Sequence, residues 1–200
     1  MHLVSPEGVA LRAQDADSLT LEGQRGERFV ISVLDHDLVR VQHRPDGFPR
    51  LDRTWSVVGP SGDVPLEGRP RDDLSPFPRP GLHLEDTADG LAIRTDALAL
   101  HVRLGDLRLE WRLPSGEVFA SDVPARAYTY DRAGRAVFHH MTRRPDEHYY
   151  GFGETAGPLD KAEMRLRMAP ADAFGYDAAQ TDPLYKHIPF YITLVPELGV

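Results

Sequence analysis

An all-β chain folded as an antiparallel sandwich is what this sequence predicts. Three observations carry that expectation. Short runs alternate apolar and polar residues with a period of two. Turn dipeptides containing glycine recur between these runs. No segment holds the helical period over three turns.

The elements follow in order. Phe29, Ile31 and Val33 alternate, and Leu38-Val39-Arg40-Val41 follows the polar turn Asp35-His36-Asp37. Turn pairs then recur at Asp46-Gly47, Ser61-Gly62, Asp89-Gly90, Gly105-Asp106, Ser115-Gly116 and Ala133-Gly134. Between them the expected strands are Leu82–Glu85, Leu91–Thr95, Leu98–Leu104, Leu107–Leu113, Glu117–Asp122, Ala127–Asp131 and Ala136–Met141. At Asp89-Gly90 the glycine is expected to supply the positive φ of a tight hairpin. Gly59–Pro80 holds six prolines, which remove ladder donors, so a surface loop between strands is expected, with a domain linker as the alternative. Met168–Lys186 is dense in Gly, Pro and Asp and reads as a long loop or short helical turn.

Composition narrows the function classes. Lys and Arg total 23 against 31 Asp and Glu, a net charge of −8. No basic run offsets that balance, so a nucleic-acid partner is not expected. Cysteine is absent, which excludes a disulfide scaffold, a thiolate metal site and a Cys nucleophile. The start, MHLVSPEGVALRAQDADS, lacks a basic segment followed by an apolar core. No stretch approaches the roughly 18 apolar residues of a membrane helix, so no membrane partner and a cytoplasmic location are expected. The nine histidines show no ligand spacing such as HxH or HExxH. His139 and His140 are adjacent and are expected on opposite faces of a strand. Neither a metal nor a cofactor is expected.

The richest stretch runs from His148 to Tyr191. Tyr149, Tyr150 and Phe152 surround Gly151 and Gly153, with Glu154 next; Asp172, Tyr176, Asp177, Thr181, Asp182, Tyr185 and Lys186 crowd around Phe174-Gly175. Aromatic rings cover the C–H faces of a pyranose, and neighbouring carboxylates and hydroxyls satisfy its hydroxyl groups. Tyr150–Thr155, Gly157-Pro158-Leu159, Asp172, Tyr176-Asp177, Thr181–Lys186 and Ile188-Pro189-Phe190 together resemble glycoside hydrolase family 31, the α-glucosidase and α-xylosidase family. Before this stretch the similarity is general: short strands, Arg40 after an apolar run, and Trp55.

The resemblance implies a galactose mutarotase-like supersandwich, with residues 1–200 forming its amino-terminal β-sandwich domain. It also implies that the sandwich continues beyond Val200 and that a TIM barrel follows. Both catalytic carboxylates then sit on the barrel, and no catalytic residue is expected in this chain. A dyad of Glu154 with Asp172 or Asp177 is the weaker reading. Asp172 is the expected substrate-binding residue, carried by loop 168–186 to the rim of the pocket; as an alternative it caps the turn at Ala173-Phe174-Gly175. Pro170 and Ala171 before it depart from the family pattern. Glu154 is expected to accept hydrogen bonds from the Thr155–Leu159 turn. Tyr185 and Phe190 are expected to fill core behind the loop, with Lys186 pairing to Asp182 or Asp177.

The function expected is that of a non-catalytic domain of a retaining α-glycosidase. It supports the barrel and lends the pocket one loop, with an α-linked oligosaccharide or glycoside and the barrel as partners. The alternative is a stand-alone carbohydrate-binding or mutarotase-like sandwich.

Overall fold

The computed structural model describes residues 2–58, 62, 64–133 and 136–200. Ser61 and Gly134, each half of an expected turn pair, lie outside the described residues. The chain divides into two compact units, Met1–Thr142 and Arg143–Val200.

In the first unit the described strands are β1 (Leu3–Val4), β2 (Ala10–Gln14), β3 (Ser18–Glu22), β4 (Arg28–Asp35), β5 (Leu38–Arg44), β6 (Arg53–Thr54) and β7 (Arg69–Pro70). They continue with β8 (His83–Thr87), β9 (Gly90–Arg94), β10 (Ala99–Arg103), β11 (Arg108–Arg112), β12 (Val118–Ser121), β13 (Tyr128–Asp131) and β14 (Val137–His139). The second unit holds β15 (His148–Gly153), β16 (His187–Leu194) and a 3-10 turn at Pro196–Leu198. Among the described residues no helix is long and apolar enough to cross a membrane.

The first unit is an antiparallel sandwich. A four-stranded sheet runs β2-β3-β4-β5, a five-stranded sheet runs β12-β11-β10-β9-β8, and β1-β13-β14 form a third. Alternation explains the packing, because every second strand residue faces the same side. Leu19, Leu21, Phe29, Ile31 and Val33 point inward from the first sheet. Leu91, Ile93, Leu100, Val102 and Leu109 meet them from the second, in one apolar cluster that also takes in Tyr128. Burying each such side chain is worth about 1.5–3 kcal/mol.

The hairpins confirm the expected strands within one or two residues at most ends. At Gly47, Gly105 and Gly116 the backbone takes positive φ. Gly90 corrects the expectation made for it. It lies inside β9, outside the positive-φ set, directly opposite Arg103. A Cβ there would sit 2.1 Å from the Val102 carbonyl oxygen, so glycine is required by the close approach of two backbones. The described part of Gly59–Pro80 is ordered by pairing: β7 pairs with β6. The buried Arg69 guanidinium donates to the carbonyls of Val57 and Asp73.

One partly buried base makes this unit acid-sensitive. The His43 ring on β5 stacks on Phe29, with centroids 4.5 Å apart and planes at 8°. Burial, with repulsion from His139 and Arg50, holds its pKa down at about 4, against the ordinary 6.5. Between those values the unfolded chain binds a proton that the folded chain refuses. Stability is therefore full above pH 6.5 and falls as pH drops towards 4. Between about pH 7 and pH 5, urea unfolding is expected to lose about 2 kcal/mol from this group. A His43→Phe variant should show a correspondingly flatter profile. Equal slopes for the two proteins would refute the assignment.

Candidate functional site

The site predicted from sequence lies in the second unit. Its frame is the β15–β16 hairpin, antiparallel with a register shift between Gly151 and Gly153. The extra residue, Phe152, sits at φ 70°, a conformation that costs a non-glycine residue of order 1 kcal/mol. Its ring stacks on Tyr191, with centroids 4.9 Å apart and planes at 13°, which offsets that strain. Gly153 follows at φ 80°, where a Cβ would lie 2.7 Å from the Ile188 nitrogen and the Lys186 oxygen. The Gly-Phe-Gly triplet is thus a β-bulge that turns Phe152 onto Tyr191 and delivers Glu154 to the loop, where its N–H donates to the Lys186 carbonyl at 2.8 Å.

Charged groups at the base of this hairpin were missed by sequence reasoning. Asp160 takes His148 Nδ1 at 2.7 Å and the N–H groups of Tyr149 at 2.9 Å and Ala162 at 3.0 Å. The Tyr149 N–H bond, followed by His148, holds its carboxyl at about 2. The Tyr149 hydroxyl donates to Glu147 at 2.5 Å. Burial first, and then that bond, push the phenol upward. Glu147 and Tyr149 are two apart on an extended chain, so the period-two rule would have found them. His148 and Asp160 have no spacing signal.

Loop 168–186 contains no helix among its residues, only turns at 174–175 and 178–180. It is braced from within. Asp177 accepts from the Ala179 N–H at 2.7 Å and from the Gln180 amide at 3.2 Å, while Thr181 Oγ1 accepts from the Asp177 N–H at 2.8 Å. Asp182 accepts from the Arg167 N–H at 2.8 Å. The Ala171 N–H reaches the Leu184 carbonyl at 3.3 Å, and the Tyr185 hydroxyl donates to the Ala173 carbonyl at 3.0 Å. Asp172 stands between these last two anchors. Its main-chain carbonyl accepts from the Phe174 N–H at 3.1 Å. Its carboxylate is exposed and has no hydrogen bond or ion pair to the described residues. Phe174 beside it is 88% exposed and Tyr176 is 55% exposed.

Several expected roles are corrected here. Lys186 pairs with neither Asp182 nor Asp177, since both carboxylates are occupied by main-chain donors of the loop. Tyr185 and Phe190 are 44% and 63% exposed. Tyr185 braces the loop through its hydroxyl instead, and Phe190 lies on a two-stranded ribbon that has no second layer in this unit. Glu154 makes no side-chain bond to the Thr155–Leu159 turn. That turn is held by the buried Lys161, whose Nζ donates to the Ala156 carbonyl at 3.0 Å and the Thr155 carbonyl at 3.5 Å. The Gly157 N–H goes to the Ala178 carbonyl at 2.8 Å. His139 and His140 each have an aromatic neighbour, His139 stacking on Tyr128 and His140 on Phe138. Among the described residues no three His, Asp or Glu side chains gather as metal ligands.

The arrangement offers a free carboxylate and exposed rings on a braced loop, beside a bulged aromatic hairpin. Comparison with known proteins shows the family of the chain. A Bacillus thermoamyloliquefaciens protein named alpha-glucosidase 2 is 37% identical over 68 residues, which is 34% of this chain and 8% of that protein. Among solved structures, a Flavobacterium johnsoniae GH31 dextranase complexed with glucose matches 96% of this chain with a TM-score of 0.73 at 18% identity. A cycloalternan-forming enzyme from Listeria monocytogenes, in complex with a pentasaccharide substrate, matches 96% with a TM-score of 0.70 at 19% identity. The chain spans 21% and 16% of those two structures. Residues 28–200 match the family described as the glycosyl hydrolase 31 N-terminal galactose mutarotase-like domain. By that match the chain belongs to the glycosyl hydrolase 31 N-terminal domain family.

Proposed function

We propose that residues 1–200 act as the non-catalytic amino-terminal domain of a retaining α-glycosidase. The domain supports a catalytic barrel of the same parent chain and lends loop 168–186, with Asp172, to the substrate pocket. The carrying observation is the Asp172 carboxylate: exposed, without a partner among the described residues, and held between the Ala171 and Ala173 main-chain anchors. A carboxylate kept free on a braced tip is suited to accept hydrogen bonds from sugar hydroxyls. Phe174 and Tyr176 beside it offer flat apolar surface for a pyranose. An α-linked glucoside is the substrate class, supported by relatives named as an alpha-glucosidase and a dextranase. Cytoplasmic placement belongs to the same proposal.

Retaining hydrolysis needs two carboxylates about 5–5.5 Å apart, one as nucleophile and one as acid/base. Asp177 spends its carboxylate inside the loop, so the pair is assigned to the barrel. The isolated chain, assayed on aryl α-glucoside and α-xyloside beside a full-length parent, is expected to show no turnover. Activity that persists through purification and disappears with Glu154→Gln or Asp172→Asn would place chemistry in this chain and end the proposal.

A further inference from the structure

Arginines crowd one corner of the first unit. Arg40 and Arg44 share one face of β5, because side chains alternate along a strand, while Val39 and Val41 turn to the core. Both guanidiniums reach the same oxygen, Asp72 Oδ1, Arg44 at 2.5 Å and Arg40 at 4.0 Å. Arg40 also donates to the Arg71 carbonyl at 2.8 Å. Arg71 in turn clamps the chain that follows β5: its Nε donates to the Leu51 carbonyl at 2.8 Å and its Nη2 to the Arg53 carbonyl at 2.9 Å. Among the described residues Arg71 pairs with no carboxylate. The crowding is felt at Arg40, whose pKa burial lowers from its ordinary value; Asp72 pulls it up, and Arg44, Arg71 and Arg69 push it down. This is a local concentration of positive charge on a chain whose net charge is −8.

A cleft of about 310 Å³ opens at this corner. Arg44, Arg50 and Arg71 stand in its walls, and no carboxylate of the described residues does. Asp72 and Asp46, which pair with Arg44 and Arg50, lie outside the lining. The Arg44 side chain is only 13% exposed, so water and salt screen its charge less than that of a surface arginine. The remaining wall is apolar and flat: Pro45, Pro49 and Phe48, whose ring is 63% exposed.

We propose that this cleft binds a small aromatic acid, its carboxylate or phosphate group on the arginine side and its ring against Phe48 and the two prolines. A guanidinium offers paired N–H donors that match either oxyanion, and it also stacks on flat rings. The volume falls at the small end of the roughly 300–1,000 Å³ typical of ligand pockets, which suits one ring with one acidic group. A neutral sugar would leave the positive wall uncompensated. The proposal is independent of the Asp172 loop.

The probes are phenyl phosphate and benzoate, each titrated calorimetrically into the whole chain at low salt. At least one is expected to saturate with a Kd of about 0.1–1 mM, and their ranking tells which acid the cleft prefers. Benzyl alcohol, which has the ring without the charge, and inorganic phosphate, which has the charge without the ring, should each bind at least about fivefold more weakly. Arg50→Gln should weaken the better probe at least about fivefold, and raising NaCl from about 0.05 to 0.5 M should weaken it further. Arg50 is exposed, so its loss leaves the fold standing. Lack of saturation by about 10 mM of either probe, equal affinity for benzyl alcohol or for inorganic phosphate, or unchanged affinity in Arg50→Gln would each overturn the proposal. The benzyl alcohol and phosphate comparisons need no substitution, so they decide the matter even if a variant fails to fold.

Discussion

Replacing Asp172 by alanine in the whole enzyme is expected to lower kcat/KM on an α-glucoside by about tenfold to a hundredfold, with stability nearly unchanged. The size follows from the bond at stake. Losing a hydrogen bond between a charged group and a neutral hydroxyl costs about 1.5–3 kcal/mol, and about 1.4 kcal/mol is one decade. The unchanged stability follows from the structure, because the carboxylate bonds to no described residue. A surface substitution of that kind stays within about 0.5 kcal/mol. Asp172→Asn keeps an acceptor but not the charge, so its loss should be smaller. The turn-capping alternative makes the opposite forecast: a lower melting temperature, with activity per folded enzyme intact. Active-site titration beside thermal unfolding separates the two. Unchanged kcat/KM with reduced stability would make Asp172 structural and remove the loop from the pocket.

Gly90→Ala is expected to be among the most damaging single-methyl additions in the first unit. The added Cβ would meet the Val102 oxygen at 2.1 Å, the Leu104 nitrogen at 3.0 Å and Arg103 Cα at 3.1 Å. All three are backbone atoms of the paired strand, and none can rotate away. The β9–β10 ladder must part, and overpacking of this kind costs about 1–3 kcal/mol or somewhat more. That corresponds to about 2–4 °C of melting temperature per kcal/mol in a domain of this size. Gly116→Ala is the comparison. Gly116 has φ 102° but nothing within 4 Å of its Cβ, so only backbone strain of about 1–2 kcal/mol applies. If Gly90→Ala proved no worse than Gly116→Ala, the close-approach reading of Gly90 would be wrong.

The contrast between those two glycines shows what a sequence makes legible. Hairpins β8 to β14 could be read because alternation and turn dipeptides are local signals. Why Gly90 must be glycine could not, since the reason is a carbonyl twelve residues away on another strand. β2 escaped notice because every one of its residues is exposed and the strand presents no apolar face, whereas β3 does alternate, with Leu19 and Leu21 inward, and was legible though unread. Asp172 was singled out through family likeness, and that its carboxylate bonds to no described residue became visible only in three dimensions.

One consequence of the Lys161 clamp concerns labelling chemistry. The sequence contains two lysines, Lys161 and Lys186. Lys161 is buried with its ammonium on two carbonyls, whereas Lys186 is exposed where the loop rejoins the hairpin. An amine-directed fluorophore therefore has one accessible side chain to attack besides the amino terminus. That side chain lies fourteen residues after Asp172, at the foot of the same loop, so a label placed on it reports on movement of that loop.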